Sequence, residues 1–298
     1  MTAHPLFGFF LAFIGTALFS FKSIFIKLAY AQGLETNSVL MLRMAIALPI
    51  YLGILIYLTQ QKPITTTLIK KHFPLIILLG FIGYFLASWL DLKALEYISA
   101  GLERLTLFTY PIFVAIFGAL FFKTPLNKKI IVALLTCYLG LWLAFHQELE
   151  TNQSADTSTG VLLVLLSAFS FSFYVLLSKN VILKIGSLWF TSIAMTISSI
   201  FVLLFYALFI DFNTLSVSLS AWFWIICLAL FSTVLPSFMI SEALAKIGPA
   251  QTGIVGTLGP IITIILAIFI LDEAFSTNYA LGIFFVVSGV LYLTKSSK

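Results

Sequence analysis

Charge is scarce in this chain. Of its 298 residues only 9% are Asp, Glu, Lys or Arg, against 61% apolar, where a soluble domain carries roughly 25% charged residues. That deficit excludes a soluble globular protein. At about 20 apolar residues per crossing, the length allows about ten membrane spans and leaves no room for a soluble domain. Cysteine is nearly absent. Cys137 and Cys227 both lie in apolar runs, where a thiol packs as a small hydrophobe, so no disulfide framework and no metal spacing is present. His4, His72 and His146 stand apart near span ends, and none points to a metal. Also missing are an HExxH pair, a nucleophile elbow and a paired acidic motif for metal–pyrophosphate chemistry. An enzyme is therefore not expected, and no cofactor is implied. The formal net charge of +5 does not indicate nucleic acid, because the lysines fall in short loops where the positive-inside rule accounts for them.

What is present is a series of apolar runs. Spans are expected at about 6–29, 37–58, 73–92, 100–122, 129–146, 160–182, 188–210, 221–241, 250–271 and 278–294. The stretch 1–21 has no basic n-region and no A-x-A-like cleavage site, so it reads as a retained first span. Pro63 and Pro125 punctuate two of the breaks, and the polar run 147–159 is the one linker. With a cytoplasmic N-terminus, the inner loops and tail hold Lys62, Lys70, Lys71, Lys123, Lys128, Lys129, Lys184, Lys246, Lys295 and Lys298. The outer segments hold Glu35, Glu148, Glu150, Asp156, Asp211, Asp272 and Glu273. This asymmetry places both termini inside.

The two halves repeat. At an offset of 149, Ala94-Leu95 matches Ala243-Leu244, Ile98 matches Ile247, Pro111-Ile112 matches Pro260-Ile261, and Gly140 matches Gly289. At an offset of 152, Gly8 matches Gly160, Ser20 matches Ser172 and Lys27 matches Lys179. Residues 1–146 and 160–298 thus read as two five-helix repeats joined by 147–159. Five is odd, so the second repeat is reversed in the bilayer. The expected fold is an all-α integral membrane protein with ten transmembrane helices in two inverted five-helix repeats, an arrangement typical of secondary transporters with a site near the midplane.

Five charges resist explanation as loop residues: Lys22, Arg43, Asp91, Glu103 and Arg104, all expected in the outer half of spans 1 to 4. Charge at membrane depth usually faces a partner or a wet cavity. Lys22 continues a stripe with Gly8 and Gly15, whose glycines admit a neighbouring helix, so it is expected to face protein rather than snorkel. Arg43 has no polar neighbour one turn away. It awaits either an acid on another span or an anionic ligand. Asp91 shares a face with Tyr84 and Ser88, and its structural partner would be Lys93 or Arg104. Glu103 shares a face with Thr106 and Tyr110, while Arg104 points about a hundred degrees away, so the two need separate partners. Glu103 is the candidate for a proton-coupled switch. Elsewhere, Glu242 and Lys246 read as a surface i,i+4 bridge, and Trp189, Trp222 and Trp224 as an interfacial belt. Gly253, Gly256 and Gly259 before Pro260 allow close packing or local unwinding. Gly282 and Gly289 on span 10 fit close helix packing and hint at a dimer.

These features together resemble the EamA-type transporters of the drug/metabolite transporter superfamily. ALFSFKSIFIKLAY (Ala17–Tyr30) is similar to the family's first span ending in lysine, here Lys27. LMLRMAIA (Leu40–Ala47) resembles its second-span arginine motif, here Arg43. The segments Lys93–Phe122 and Glu242–Glu273 resemble its fourth- and ninth-span patterns. The family's glutamate after the fourth span is Thr124 here, whereas Glu273 is kept. The resemblance implies ten helices around a central cavity, peripheral spans 5 and 10, and export of amino acids, drugs or metabolites.

The expectation is a transporter that moves a small polar metabolite, an amino acid or related zwitterion or anion, out across the cytoplasmic membrane by alternating access. Its substrate wall is Lys22, Arg43, Asp91, Glu103, Arg104 and Tyr110, in which three cations face two carboxylates. Candidate partners are the small-molecule substrate, the bilayer, protons as coupling ion and a second copy in a homodimer. The alternative is a membrane-embedded structural or binding subunit whose buried charges are helix locks.

Overall fold

The structure, a computed structural model, describes residues 5–61, 66–122, 128–152, 156–212, 215–256 and 258–295. His4, Lys62, Pro63, Lys123, Thr124, Pro125 and Lys298 lie outside them. The described residues contain no strand. The helices are α1 (Pro5–Ser20), α2 (Lys22–Tyr30), α3 (Thr36–Gln61), α4 (Thr66–Leu79), α5 (Ala87–Ala94), α6 (Ala100–Leu107), α7 (Tyr110–Phe122), α8 (Lys128–Asn152), α9 (Thr157–Ile185), α10 (Ser187–Phe209), α11 (Leu219–Ala229), α12 (Leu235–Gly256), α13 (Leu258–Leu271) and α14 (Thr277–Lys295). A π-helical segment, Gly80–Leu86, joins α4 to α5, and a second, Leu230–Val234, joins α11 to α12.

Grouped by continuity, these make ten spans. Among the described residues, seven helices are long and apolar enough to cross a membrane, and Ile131–Gln147, Leu258–Leu271 and Thr277–Tyr292 are shorter apolar helices. The protein is an all-α integral membrane protein of two inverted repeats. Packing shows the exchange of halves. Span 1 packs along span 8 through α1 and α12, and span 6 packs along span 3 through α9 and α5. Spans 2 and 7 (α3, α10), 4 and 9 (α6, α13), and 5 and 10 (α8, α14) each pack on their own counterpart. One polar junction recurs with its direction reversed. Ser170 Oγ donates to Ile82 O at 2.7 Å, and Ser232 Oγ donates to Leu18 O at 2.9 Å. Leu18 and Ser170 are equivalent at the offset of 152, and Ile82 corresponds within one residue to Ser232 at the offset of 149.

Local chemistry explains the interruptions. Pro111 has no N–H to give, so span 4 breaks at Phe108–Thr109 and restarts as α7. Thr109 N bonds Thr106 O in a tight turn there. The second π segment is marked by Thr233 Oγ1 donating five residues back, to Leu228 O, at 2.9 Å. Such wide turns often sit at functional sites. Glycine is needed where α8 meets α14. A Cβ on Gly140 would lie 2.5 Å from Gly282 O, and one on Gly289 would lie 2.9 Å from Ala133 O. The span-10 glycines are therefore spent inside the chain, against span 5.

Several expectations need correction. Much of the polar run 147–159 is helical, because α8 continues to Asn152 and α9 begins at Thr157. Span 8 runs through the expected start of span 9, since α12 extends to Gly256. Trp189 does not belong to an interfacial belt. It is buried with Ile76, Leu79 and Phe190, whereas Trp222 is exposed and Trp224 stacks on Phe25.

Candidate functional site

The break at Phe21 starts a new helix, α2, at Lys22. The Gly8 and Gly15 stripe packs on α12, against Ile247 and Ile240. Lys22, past the break, turns to the bundle centre and pairs with Asp91 on α5. The reading that Lys22 faces protein holds. The expected partners of Asp91, Lys93 and Arg104, are not the ones it takes, because Lys93 pairs with Glu96. Nor do Tyr84 and Asp91 work as one polar face. Tyr84 lies in the π segment, where the turn is wider, and its hydroxyl accepts from Tyr174 at 3.2 Å.

Glu103 on α6 accepts from Ser23 Oγ at 2.5 Å. Its carboxyl is close enough to that of Asp91 for the two charges to repel. Arg104 turns the other way, as the helical period requires. Its guanidinium stacks over Phe19 at 4.9 Å from the ring centroid, and Lys22 stands 5.8 Å from the same ring. A Cβ on Gly259 would lie 3.6 Å from Arg104 Nη2, so that glycine makes room for the guanidinium. Ser20 fastens span 1 to span 9 at this level, donating to Gly259 O at 3.2 Å and accepting from Thr263 Oγ1 through its carbonyl at 3.0 Å. Tyr110 is half-buried, within electrostatic reach of Arg104, with its ring edge-on to Phe108 and Phe171.

The five charges are thus brought together and dehydrated. Relative exposure is 0% for Glu103, 1% for Asp91, 3% for Arg43, 5% for Lys22 and 7% for Arg104. Their hydrogen bonding is incomplete. Arg43 Nε and Nη2, Asp91 Oδ1 and Glu103 Oε1 are buried without a partner. The two carboxyls are neighbours, but as carboxylates both only accept, so neither can satisfy the other. Among the described residues, Arg43 takes no acid in hydrogen-bonding contact. Asp91, which attracts it electrostatically, is already held by Lys22. Lys22 with Asp91 is the one ion pair among these five charges, so both guanidiniums are left without an acid. Arg43 is the one whose buried donors stay unmet, a fork shaped for a carboxylate or phosphate.

Beside the charges lies a hydroxyl layer of which the sequence reading had only Tyr84. Tyr51 on α3 bonds Ser237 Oγ at 3.0 Å and donates to Thr233 O at 3.4 Å. Tyr84 and Tyr174 meet edge to face, with ring centroids 4.9 Å apart. On α10, Ser192, Thr196 and Ser198 are buried hydroxyls without partners. Ser23 was also missed. The one available signal was the run of small polar residues on spans 7 and 8, which carry no charge and do not stand out. Glu242 and Lys246 form the expected bridge at 3.1 Å.

The model of the EamA-like transporter family matches the chain twice, over residues 6–146 and 158–295. An uncharacterized transporter of Bacillus subtilis (strain 168), YcbK, is 29% identical over 290 residues, covering 94% of this chain and 91% of that protein. A second from the same organism, YyaM, is 24% identical over 253 residues, covering 84% and 81%. One solved crystal structure superposes with a TM-score of 0.68 at 14% identity, over 97% of this chain and 96% of the other. At that identity it speaks for the fold alone.

Proposed function

Because the chain belongs to the EamA-like transporter family, we propose that it is a secondary transporter exporting a small carboxylate-bearing metabolite, an amino acid or related zwitterion or anion, by alternating access. The observation that carries the substrate class is the buried Arg43 guanidinium, with Nε and Nη2 unpartnered. An unmet buried donor is unfavourable by about 1–3 kcal/mol, more when charged. A ligand carboxylate on that fork would offset the deficit. It would also compete with Asp91 and Glu103 for the nearby cations. Those two carboxyls supply the coupling step in this reading. A proton taken up by one of the two carboxyls turns an acceptor into a donor, which makes protons the proposed coupling ion. The protein sits in the cytoplasmic membrane with both termini inside, in keeping with the lysine asymmetry.

Helix locking is the weaker account. It explains Lys22 with Asp91, but a lock has no use for a guanidinium with free donors. The test is a ligand thermal-shift screen on purified protein with amino acids, organic acids, nucleosides and quaternary amines, in wild type and Arg43→Ala. Carboxylate-bearing compounds should raise the melting temperature of the wild type and leave the variant unmoved. Stabilisation by nucleosides or quaternary amines alone, or by nothing in a folded sample, would sink the substrate class.

A further inference from the structure

We propose that two carboxylates at the outer end, Glu96 and Glu273, act as straps that keep that face closed, and that the lack of counterparts on the opposite face makes this closed state the resting one. The inference rests on the alternating-access reading above. It adds the direction in which the empty molecule is biased.

Glu273 follows α13. Asp272 adopts φ 52°, a left-handed turn that Asp tolerates, and the chain doubles back so that Glu273 N bonds Ala267 O at 3.2 Å. The Glu273 carboxylate then reaches across to span 4. It accepts from Ala100 N at 2.7 Å and Gly101 N at 3.1 Å, while Ser99 Oγ accepts from Leu102 N at 3.1 Å. The opening amides of α6, which a helix leaves unpaired, are thus all met, and a carboxylate sits at the positive end of the helix dipole. One turn further on, α6 carries Glu103 and Arg104. Glu273 is therefore a positioning residue for two of the site's charges. Gly101 completes the clamp, because a Cβ there would come within 2.3 Å of Tyr279 Oη.

Glu96 does the same for spans 2 and 3. Its Oε1 accepts from Thr36 Oγ1 at 2.5 Å and Thr36 N at 3.3 Å, and its Oε2 takes Lys93 Nζ. The Tyr30 hydroxyl lies 2.8 Å from Thr36 Oγ1 and donates to Leu92 O at 2.7 Å. Beneath this seal the five charges are buried.

In an inverted repeat, the same contacts made by the other half would close the other face. The offset of 149 identifies the residues that would have to make them. Glu96 corresponds to Ala245, and Glu273 to Thr124, which lies outside the described residues. Ala100 and Gly101 correspond to Pro249 and Ala250, and Ser99 to Gly248. Neither carboxylate has a counterpart, the capping hydroxyl is gone, and Pro249 has no N–H to donate. These deficits follow from covalent structure, whatever the backbone does there. Two charge-assisted straps on one face, with neither carboxylate kept at the equivalent positions of the other, shift the two-state balance toward the outer-closed form, whose inner face is the one that opens and loads.

The test uses purified protein without any substrate, so its result is independent of what Arg43 binds. Leu95→Cys, at a buried position beside Glu96, is introduced with Cys137→Ala and Cys227→Ala, and labelling of the new thiol by a maleimide is timed. Glu273→Gln and Glu96→Gln should each raise the rate several-fold, and together about tenfold or more. The decisive variant leaves the outer face untouched. Thr124→Glu with Pro249→Ala supplies the missing carboxylate and amide, and should also speed labelling in the Leu95→Cys background. If the outer variants speed labelling and the inner one does not, the straps only prevent local fraying and the bias is refuted. No change with Glu273→Gln and Glu96→Gln overturns the straps themselves. Melting curves of each variant separate opening from unfolding.

Discussion

Asp91 carries the heaviest electrostatic duty of any single residue, since it alone neutralises Lys22. Replacing it with Asn leaves an ammonium buried without a counter-charge, a change that costs roughly 3–5 kcal/mol. Asp91→Asn should therefore melt many degrees below wild type. Lys22→Met with Asp91→Leu, which removes both charges at similar volume, should stay within about 1 kcal/mol of wild type or exceed it. Thermal denaturation in one detergent checks both, and equal losses in the single and double variants would show that the deficit is the loss of the pair itself and not an ammonium left without a counter-charge. The depth of these charges was legible in the sequence, because an Arg or Lys inside an apolar run has nowhere else to be. Their partners were not. Lys22 and Asp91 are 69 residues apart, and helical phase alone cannot say which spans abut. The local candidates Lys93 and Arg104 were nearer in sequence, yet α5 ends at Ala94 and leaves Lys93 to Glu96.

Among the elements, the π segments and the glycine seams decide how closely the halves fit. Gly83 lies in the first π segment under the Tyr174 ring, where an added Cβ would come within 2.4 Å of Cδ2. Gly83→Ala must push the ring aside and break its bond to Tyr84, and overpacking of this kind costs about 1–3 kcal/mol. Gly53 in α3 has open space around it, so Gly53→Ala should be neutral or stabilising by up to about 1 kcal/mol. Comparing the two melting temperatures, with side-chain chemistry held constant, isolates packing. Similar shifts would mean that the Tyr174 contact is soft. The sequence showed the spans as apolar runs, and their ends came out within several residues at most sites. It did not show the π segments, because an extra residue in a helical turn leaves no change in composition.

Taken whole, the molecule is a reversed pair of five-span units, and its orientation should be visible from outside. With a cytoplasmic N-terminus, the segment holding Asp156 faces out and Lys184 faces in, and both side chains are exposed. In intact cells, and in a background without Cys137 and Cys227, a membrane-impermeant maleimide should label Asp156→Cys and spare Lys184→Cys. The opposite pattern would invert the topology and, with it, the proposed direction of export.

Composition alone determined that this is a membrane protein, because so few charges cannot solvate a globular surface. Periodic self-similarity determined the two repeats, and their odd number of spans made them inverted. What the fold decided is which charges meet, and which are left wanting a partner. Three cations and two carboxylates could be counted from the chain, but that Arg43 is the cation with buried donors unmet depends on how spans 1, 2, 3 and 4 pack. So does the role of Glu273, whose reach across 172 residues to Gly101 exists only once span 9 lies against span 4. Local physics follows from the sequence. Pairing between distant spans is set by the geometry of close packing.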